Sequence, residues 1–273
     1  MVLYFAKHFD PETCQYPKRM LDANIASDYS KIIQFFSIGD CERNYRVLER
    51  LLSVGRVTAE YKDKIDIIKK FDRDDFITLL FSMGFITILE ADLEETAFTV
   101  PNHVIMRLYF EYFKVELEQR SQISINSGKL KKAVRELALQ GDIVPLTVEI
   151  KTVLSLLSNR DFMNMDEKHI KVIVLTLLYQ SKAYYIKSEP EMNKHYPDIL
   201  LLERNPIKAK HQFLFELKYC KKKDGERAWQ KKKEEGIRQI EEYLRLEEIQ
   251  GLRNLKSYLL LTDGNELEAV AVG

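Results

Sequence analysis

From about residue 43 the chain switches between two hydrophobic periods. Arg43 to Leu52 and Asp74 to Phe81 carry apolar residues at three- and four-residue intervals, the spacing of one helix face, and Gly84 is placed to end the second helix. Phe85 to Glu90 predicts a strand, Ala91 to Glu95 an acidic turn, and Thr96 to Val100 a short return strand. Helical spacing resumes over Val104 to Phe113, with Asn102 as the N-cap.

Polarity rises through Glu118-Gln119-Arg120-Ser121-Gln122, and Asn126 to Gly128 is small and polar. A boundary is expected there, giving domains 1–125 and 126–273. Helices followed by a hairpin make the first domain winged-helix-like. In the second, helices are expected at Lys129–Leu139, Val144–Leu157 and Glu167–Tyr179. Strands follow at Ala183–Ser188, Asp198–Leu202 and Gln212–Lys218, then a long helix from about Arg227 to Glu248. Ser257–Thr262 and Leu267–Val272 close the chain as a hairpin turned by Asp263-Gly264-Asn265. The fold class is therefore α+β, and the second domain an α/β unit with a mixed sheet flanked by helices.

At 273 residues and 45% hydrophobic, the chain is long enough for two modest cores. Its 42 basic residues equal its 42 acidic ones, so net charge identifies no partner. The local distribution does: Lys208 to Arg238 holds eleven Lys/Arg against five Asp/Glu. Cys14, Cys41 and Cys220 lie far apart, which fits a reducing compartment and gives no zinc spacing. The start lacks the apolar stretch of a secretory signal. Ile170 to Leu178, the most apolar helical stretch, falls short of the ~20 residues that span a bilayer. The expectation is a soluble, cytoplasmic protein without membrane contact.

The candidate chemistry sits on two strands. Side chains alternate along a strand, so Glu216 and Lys218 share one face while Phe215, Leu217 and Tyr219 share the other. Asp198 opens the neighbouring apolar run, where a hairpin would bring its carboxylate to the same place. Two carboxylates ~4 Å apart repel by about 4 kcal/mol at an effective dielectric of 20, which favours a cation or a proton between them. Magnesium suits such a pair, since it takes one or two carboxylates together with water and phosphate oxygens. Lys218 would then position a water or steady the phosphate charge, and the Leu217 carbonyl offers a further ligand. The competing reading is an exposed Glu216–Lys218 salt bridge with Asp198 capping a turn.

Other positions carry similar pairs of readings. Glu167 begins the face Ile170, Val174, Leu177, where it either completes a metal site or forms a capping box with Asn164. Gln239, one step off the stripe Ile237, Ile240, Leu244, either bonds a phosphate, a water or Glu216, or is solvated. Lys221, Lys222 and Lys223, then Lys231, Lys232 and Lys233, with Trp229 between, form either a nucleic-acid surface or a solvated helix start. Among the five histidines only His195 lies near these groups, and it is expected to face solvent.

The residues Pro197-Asp198 and Glu216-Leu217-Lys218 resemble the signature of the PD-(D/E)XK nuclease superfamily. Gln239-Ile240…Tyr243 is similar to its Gln-Ile…Tyr pattern, and Glu167 to the acidic residue on its first core helix. The resemblance implies a restriction-endonuclease-like fold, Asp198, Glu216, Glu167 and the Leu217 carbonyl as ligands to Mg²⁺ or Mn²⁺, and Lys218 and Gln239 as catalytic groups. Residues 16–29, Leu79–Thr87 and Val100–Val104 resemble a bacterial group that joins an AAA-ATPase-like region to such a nuclease domain. No GxxxxGK[ST] occurs, so no ATP site is expected, and a separate ATPase is a possible partner. The expected function is metal-dependent hydrolysis of DNA. The alternative is a non-catalytic nuclease-like module that docks DNA or a partner ATPase.

Overall fold

A computed structural model describes residues 26–62, 71–92, 95–158, 165–204 and 207–273. The chain divides into two compact units, 1–113 and 114–273.

The first unit contains α1 (Ala26–Phe36), α2 (Cys41–Val54), β1 (Arg56–Ala59), α3 (Arg73–Ser82), β2 (Thr87–Ala91), β3 (Thr96–Thr99) and the start of α4 (His103–Ser121). Asp40 caps α2 by accepting from the amides of Glu42 and Arg43, and Gly55 ends it at φ 76°. The left-handed turn at Gly55 leads straight into β1, a strand the hydrophobic pattern did not predict. Four residues are too few to display a period; β1 is held by its antiparallel pairing to β3, with Val57 opposite Phe98. The sheet order is β1-β3-β2. Leu48, Leu51, Phe76 and Phe98 are buried beneath it, and the buried Tyr109 hydroxyl donates to the Phe85 carbonyl at 2.9 Å. Helix α3 carries Asp72 at its N-cap with Asp74 and Asp75 in its first turn, while Phe76, Ile77, Thr78 and Leu80 are buried. Lys62 pairs with both Asp72 and Asp75 at this end.

The second unit contains α5 (Ser127–Gln140), α6 (Val144–Ser158), α7 (Glu167–Leu178), β4 (Tyr184–Ser188), β5 (Ile199–Glu203), β6 (Gln212–Tyr219), α8 (Gly225–Tyr243), α9 (Glu247–Gln250), β7 (Leu255–Thr262) and β8 (Leu267–Val272). Asn126 caps α5 by accepting from the Lys129 amide. The mixed sheet runs β4-β5-β6-β7-β8, with β6 and β7 parallel and the other pairs antiparallel. α8 connects the parallel pair, as a crossover must. The central strand β6 is buried from Phe213 through Lys218.

The expected helix to Glu248 stops at Tyr243; Leu244 to Leu246 turn the chain into α9. Close approach fixes α8 on the sheet: a Cβ added to Gly236 would lie 2.4 Å from Leu259 Cδ1. The β7–β8 turn forms where Asp263-Gly264-Asn265 predicts it. Asp263 accepts from the amides of Asn265 and Glu266, and Gly264 takes φ 96°.

Candidate active site

The antiparallel register of β5 and β6 pairs Ile199 with Phe215. One step further places Asp198 opposite Glu216, and residues directly opposed in such a ladder project to the same face. The chain bends at Asp198 before β5 begins, and its Oδ2 accepts from the Leu217 amide at 2.8 Å. N–H and C=O of one strand residue point to the same edge, so the Leu217 carbonyl also projects toward the Asp198 side. The Asp198 carbonyl accepts from the Glu189 amide at 3.1 Å, which closes the connection between β4 and β5.

Glu216 is 3% exposed and Lys218 4%. The Lys218 Nζ donates to Glu216 Oε1 at 2.8 Å, so the pair is buried and not the exposed salt bridge of the competing reading. Glu216 Oε2 is buried with no hydrogen-bond partner among the described residues. An uncompensated carboxylate oxygen is costly in such a place. Burial, followed by the negative charge of Asp198, pushes the Glu216 carboxyl up to about 7. Burial also raises Asp198, against the opposing bond from the Leu217 amide and the charges of Lys171 and Lys218. Burial works against the Lys218 ammonium, but the Glu216 charge and hydrogen bond outweigh it and leave Lys218 above its ordinary value.

Glu167 is the first residue of α7. Asn164 lies outside the described residues, and the helix is capped by Asp166, whose side chain accepts from the His169 amide at 2.9 Å. Glu167 therefore does not stand at the N3 position of a capping box. Its Oε1 lies 3.6 Å from Lys218 Nζ and its Oε2 4.0 Å from Lys232 Nζ, and Oε2 accepts from the Tyr219 amide at 3.4 Å. Among the described residues no group of three His, Cys, Asp or Glu side chains is placed to hold a metal ion. Asp198 and Glu216 thus form a pair, while Glu167 faces lysines.

Helix α8 turns one stripe to this place: Lys232, Gly236, Gln239 and Tyr243, spaced four, three and four residues apart. Lys232 meets Glu167, and Gly236 meets Leu259. Gln239 Oε1 is buried without a hydrogen-bond partner, so this side chain is not the solvated one of the blander reading. The Tyr243 phenol is raised by burial and then by the charges of Glu216 and Asp198, with its hydroxyl turned toward the Glu216 carboxylate. His195 is half-buried with its ring centroid 6.0 Å from that of Tyr243, a correction to the expected solvent-facing histidine.

Lys221, Lys222, Lys223 and Lys231 are exposed. Trp229 is half-buried; its Nε1 donates to Glu268 Oε2 at 3.1 Å, and Lys233 Nζ lies 2.5 Å from Glu268 Oε1. These bonds tie α8 to β8.

Lys171 was not singled out from the sequence. It is 3% exposed on α7, paired with Glu189, and its charge acts on Asp198. The available signal was a lysine inside a run of buried apolar residues, four positions after Glu167.

Residues 165–271 match the PD-(D/E)XK nuclease superfamily. No curated protein and no solved structure matches the chain. The superfamily match covers α7 through nearly all of β8 and includes Glu167, Lys171, Asp198, Glu216, Lys218 and Gln239. PD-(D/E)XK nuclease proteins typically use divalent metal ions and act on nucleic acid, so a nuclease-like function is indicated for this part of the chain. No helix among the described residues is long and apolar enough to cross a membrane.

Proposed function

We propose that the superfamily domain is a metal-dependent nuclease that hydrolyses DNA phosphodiester bonds. The observation that carries this reading is the buried Glu216, with one oxygen on Lys218 and the other unpartnered, set opposite Asp198. The donor set fits magnesium, with manganese in its place: two carboxylates and the Leu217 carbonyl, leaving the remaining positions to water and phosphate oxygens. A divalent cation there supplies positive charge to the phosphate and acidifies a water.

The chain's own residues do the rest. Asp198 and Glu216 would hold the cation, and the Leu217 amide fixes the direction of the Asp198 carboxylate. Lys218 holds its ammonium between Glu216 and Glu167, where it orients the attacking water and offsets charge gathering on the phosphate. Glu167 keeps Lys218 and Lys232 in place. Gln239, with its Oε1 unbonded, offers a neutral acceptor for a water. Lys221, Lys222, Lys223 and Lys231 are free to follow a phosphate backbone, with Lys232 bridging to the site, whereas Trp229 serves chiefly to anchor α8. The finer reading of the first unit as winged-helix-like rests on its order of helix, strand, helix and hairpin.

The test is cleavage of plasmid and linear DNA with and without Mg²⁺ or Mn²⁺. Glu216→Ala should abolish metal-dependent cleavage while circular dichroism stays that of the parent. A folded Glu216→Ala protein that still cleaves would reject the assignment.

A further inference from the structure

The nine residues from Glu189 to Pro197, between β4 and β5, contain three of the five non-glycine residues at positive φ among the described residues: Glu189 (45°), Asn193 (47°) and Lys194 (66°). Asn193 and Lys194 are the centre of a tight turn. Met192 and His195 exchange both backbone bonds across it, at 2.9 and 2.8 Å. Two consecutive positive φ values are what a type I′ turn requires, and its second central position favours glycine. A lysine there breaks the local rule.

The turn is held from several sides. At its neck the Glu189 amide bonds the Asp198 carbonyl, and the Glu189 side chain pairs with the buried Lys171. Met192 belongs to the core cluster of Ile240 and Tyr243, His195 sets its ring against Tyr243, and Pro197 is buried. Between those inward residues Tyr196 stays 50% exposed, its hydroxyl held by the exposed Glu191 and its ring left open, and Asn193 and Lys194 are exposed at the tip. Asp198 is four positions after Lys194, so their Cα atoms lie within about 14 Å. That is about four base steps at a rise of 3.4 Å.

We propose that this turn is a substrate grip: Lys194 contacts a backbone phosphate and Tyr196 stacks on an unpaired base a few nucleotides from the scissile bond. The site's preferred substrate is then DNA with a single-stranded segment. An aromatic face stacks on a base only where that base is not enclosed in a duplex. The neck bond from the Glu189 amide to the Asp198 carbonyl ties this position to the acidic pair. The inference deepens the nuclease reading and rests on it for the identity of the ligand.

The experiment uses the full chain in EDTA, so that binding is read without cleavage. Fluorescence anisotropy follows a labelled single-stranded oligonucleotide and its blunt duplex across a salt series. Single-stranded DNA should bind more tightly than the duplex. Tyr196→Ala should weaken the single strand about tenfold and the duplex little. Lys194→Gly should lower affinity several-fold and reduce the slope of log K against log salt by about one. The same substitution suits the turn, so its Tm should hold or rise by about 2 °C; Lys194→Arg should retain affinity.

A lysine needed only for the fold would lose Tm and affinity together. That outcome overturns the proposal, and so does Lys194→Gly or Tyr196→Ala binding like the parent, or equal affinity for duplex and single strand. Binding as described without any metal-dependent cleavage would keep the grip and remove the nuclease. Cleavage that depends on Glu216 but not on Lys194 or Tyr196 would do the reverse.

Discussion

Replacing Glu216 by glutamine should stabilise the metal-free protein at pH 8. The carboxyl has an ordinary value of 4.5 and is pushed to about 7 by burial and by Asp198. Below pH 4.5 it is protonated both folded and unfolded and contributes no difference. Between 4.5 and 7 the unfolded chain releases the proton while the folded one keeps it, so unfolding grows easier as pH rises. Above 7 the full penalty applies. The rise from 4.5 to about 7, at 1.36 kcal/mol for each tenfold in proton affinity, amounts to about 3 kcal/mol.

Glutamine keeps the shape and an acceptor for Lys218 but cannot ionise, so it escapes this penalty. Urea denaturation of both proteins in EDTA at pH 5 and pH 8 reads the difference. The variant should exceed the parent by about 1 kcal/mol or less at pH 5 and by about 3 kcal/mol at pH 8. Millimolar Mg²⁺ should then stabilise the parent at pH 8 and leave the variant unmoved, because the cation takes the role of the missing proton. A variant no more stable than the parent at pH 8 would refute the account of Glu216 as a strained, waiting ligand.

Two further outcomes follow from the same geometry. Lys218→Met should reduce the rate of cleavage about 100-fold or more while calorimetric metal affinity changes far less, and equal losses in both would argue against a catalytic lysine. Gly236→Ala should lower stability by about 1–3 kcal/mol in thermal melts, because its Cβ would stand 2.4 Å from the buried Leu259 Cδ1; unchanged melting would mean that α8 has slack on the sheet.

Much of the second unit is legible in the chain because its signals agree with one another. The apolar run at Ile199 to Leu202, the alternation through Glu216 and Lys218, and the Asp263-Gly264-Asn265 turn each state a local preference that the sheet satisfies. Asp198 and Glu216 could be brought together on paper because antiparallel register makes opposed positions neighbours. What the pattern could not show is how deep they lie. An ExK triplet looks the same on an edge strand and on a central one, and only the strand order β5-β6-β7 buries it.

The same holds for Glu167, whose partners Lys218, Tyr219 and Lys232 come from other elements. The cap at Asp166 and the strand β1 were missed for a different reason. Asn164 and Asp166, two positions apart, offer the same kind of cap, and four residues give no period. His195 escaped because its neighbour Tyr243 is 48 positions away in sequence.

Glu268, near the carboxyl end, binds both Trp229 and Lys233 and so fastens the helix that delivers Gln239 and Tyr243. Because β8 is an edge strand, a change as distant as Glu268→Ala would loosen α8 and reach Tyr243, whose phenol feels the Glu216 charge.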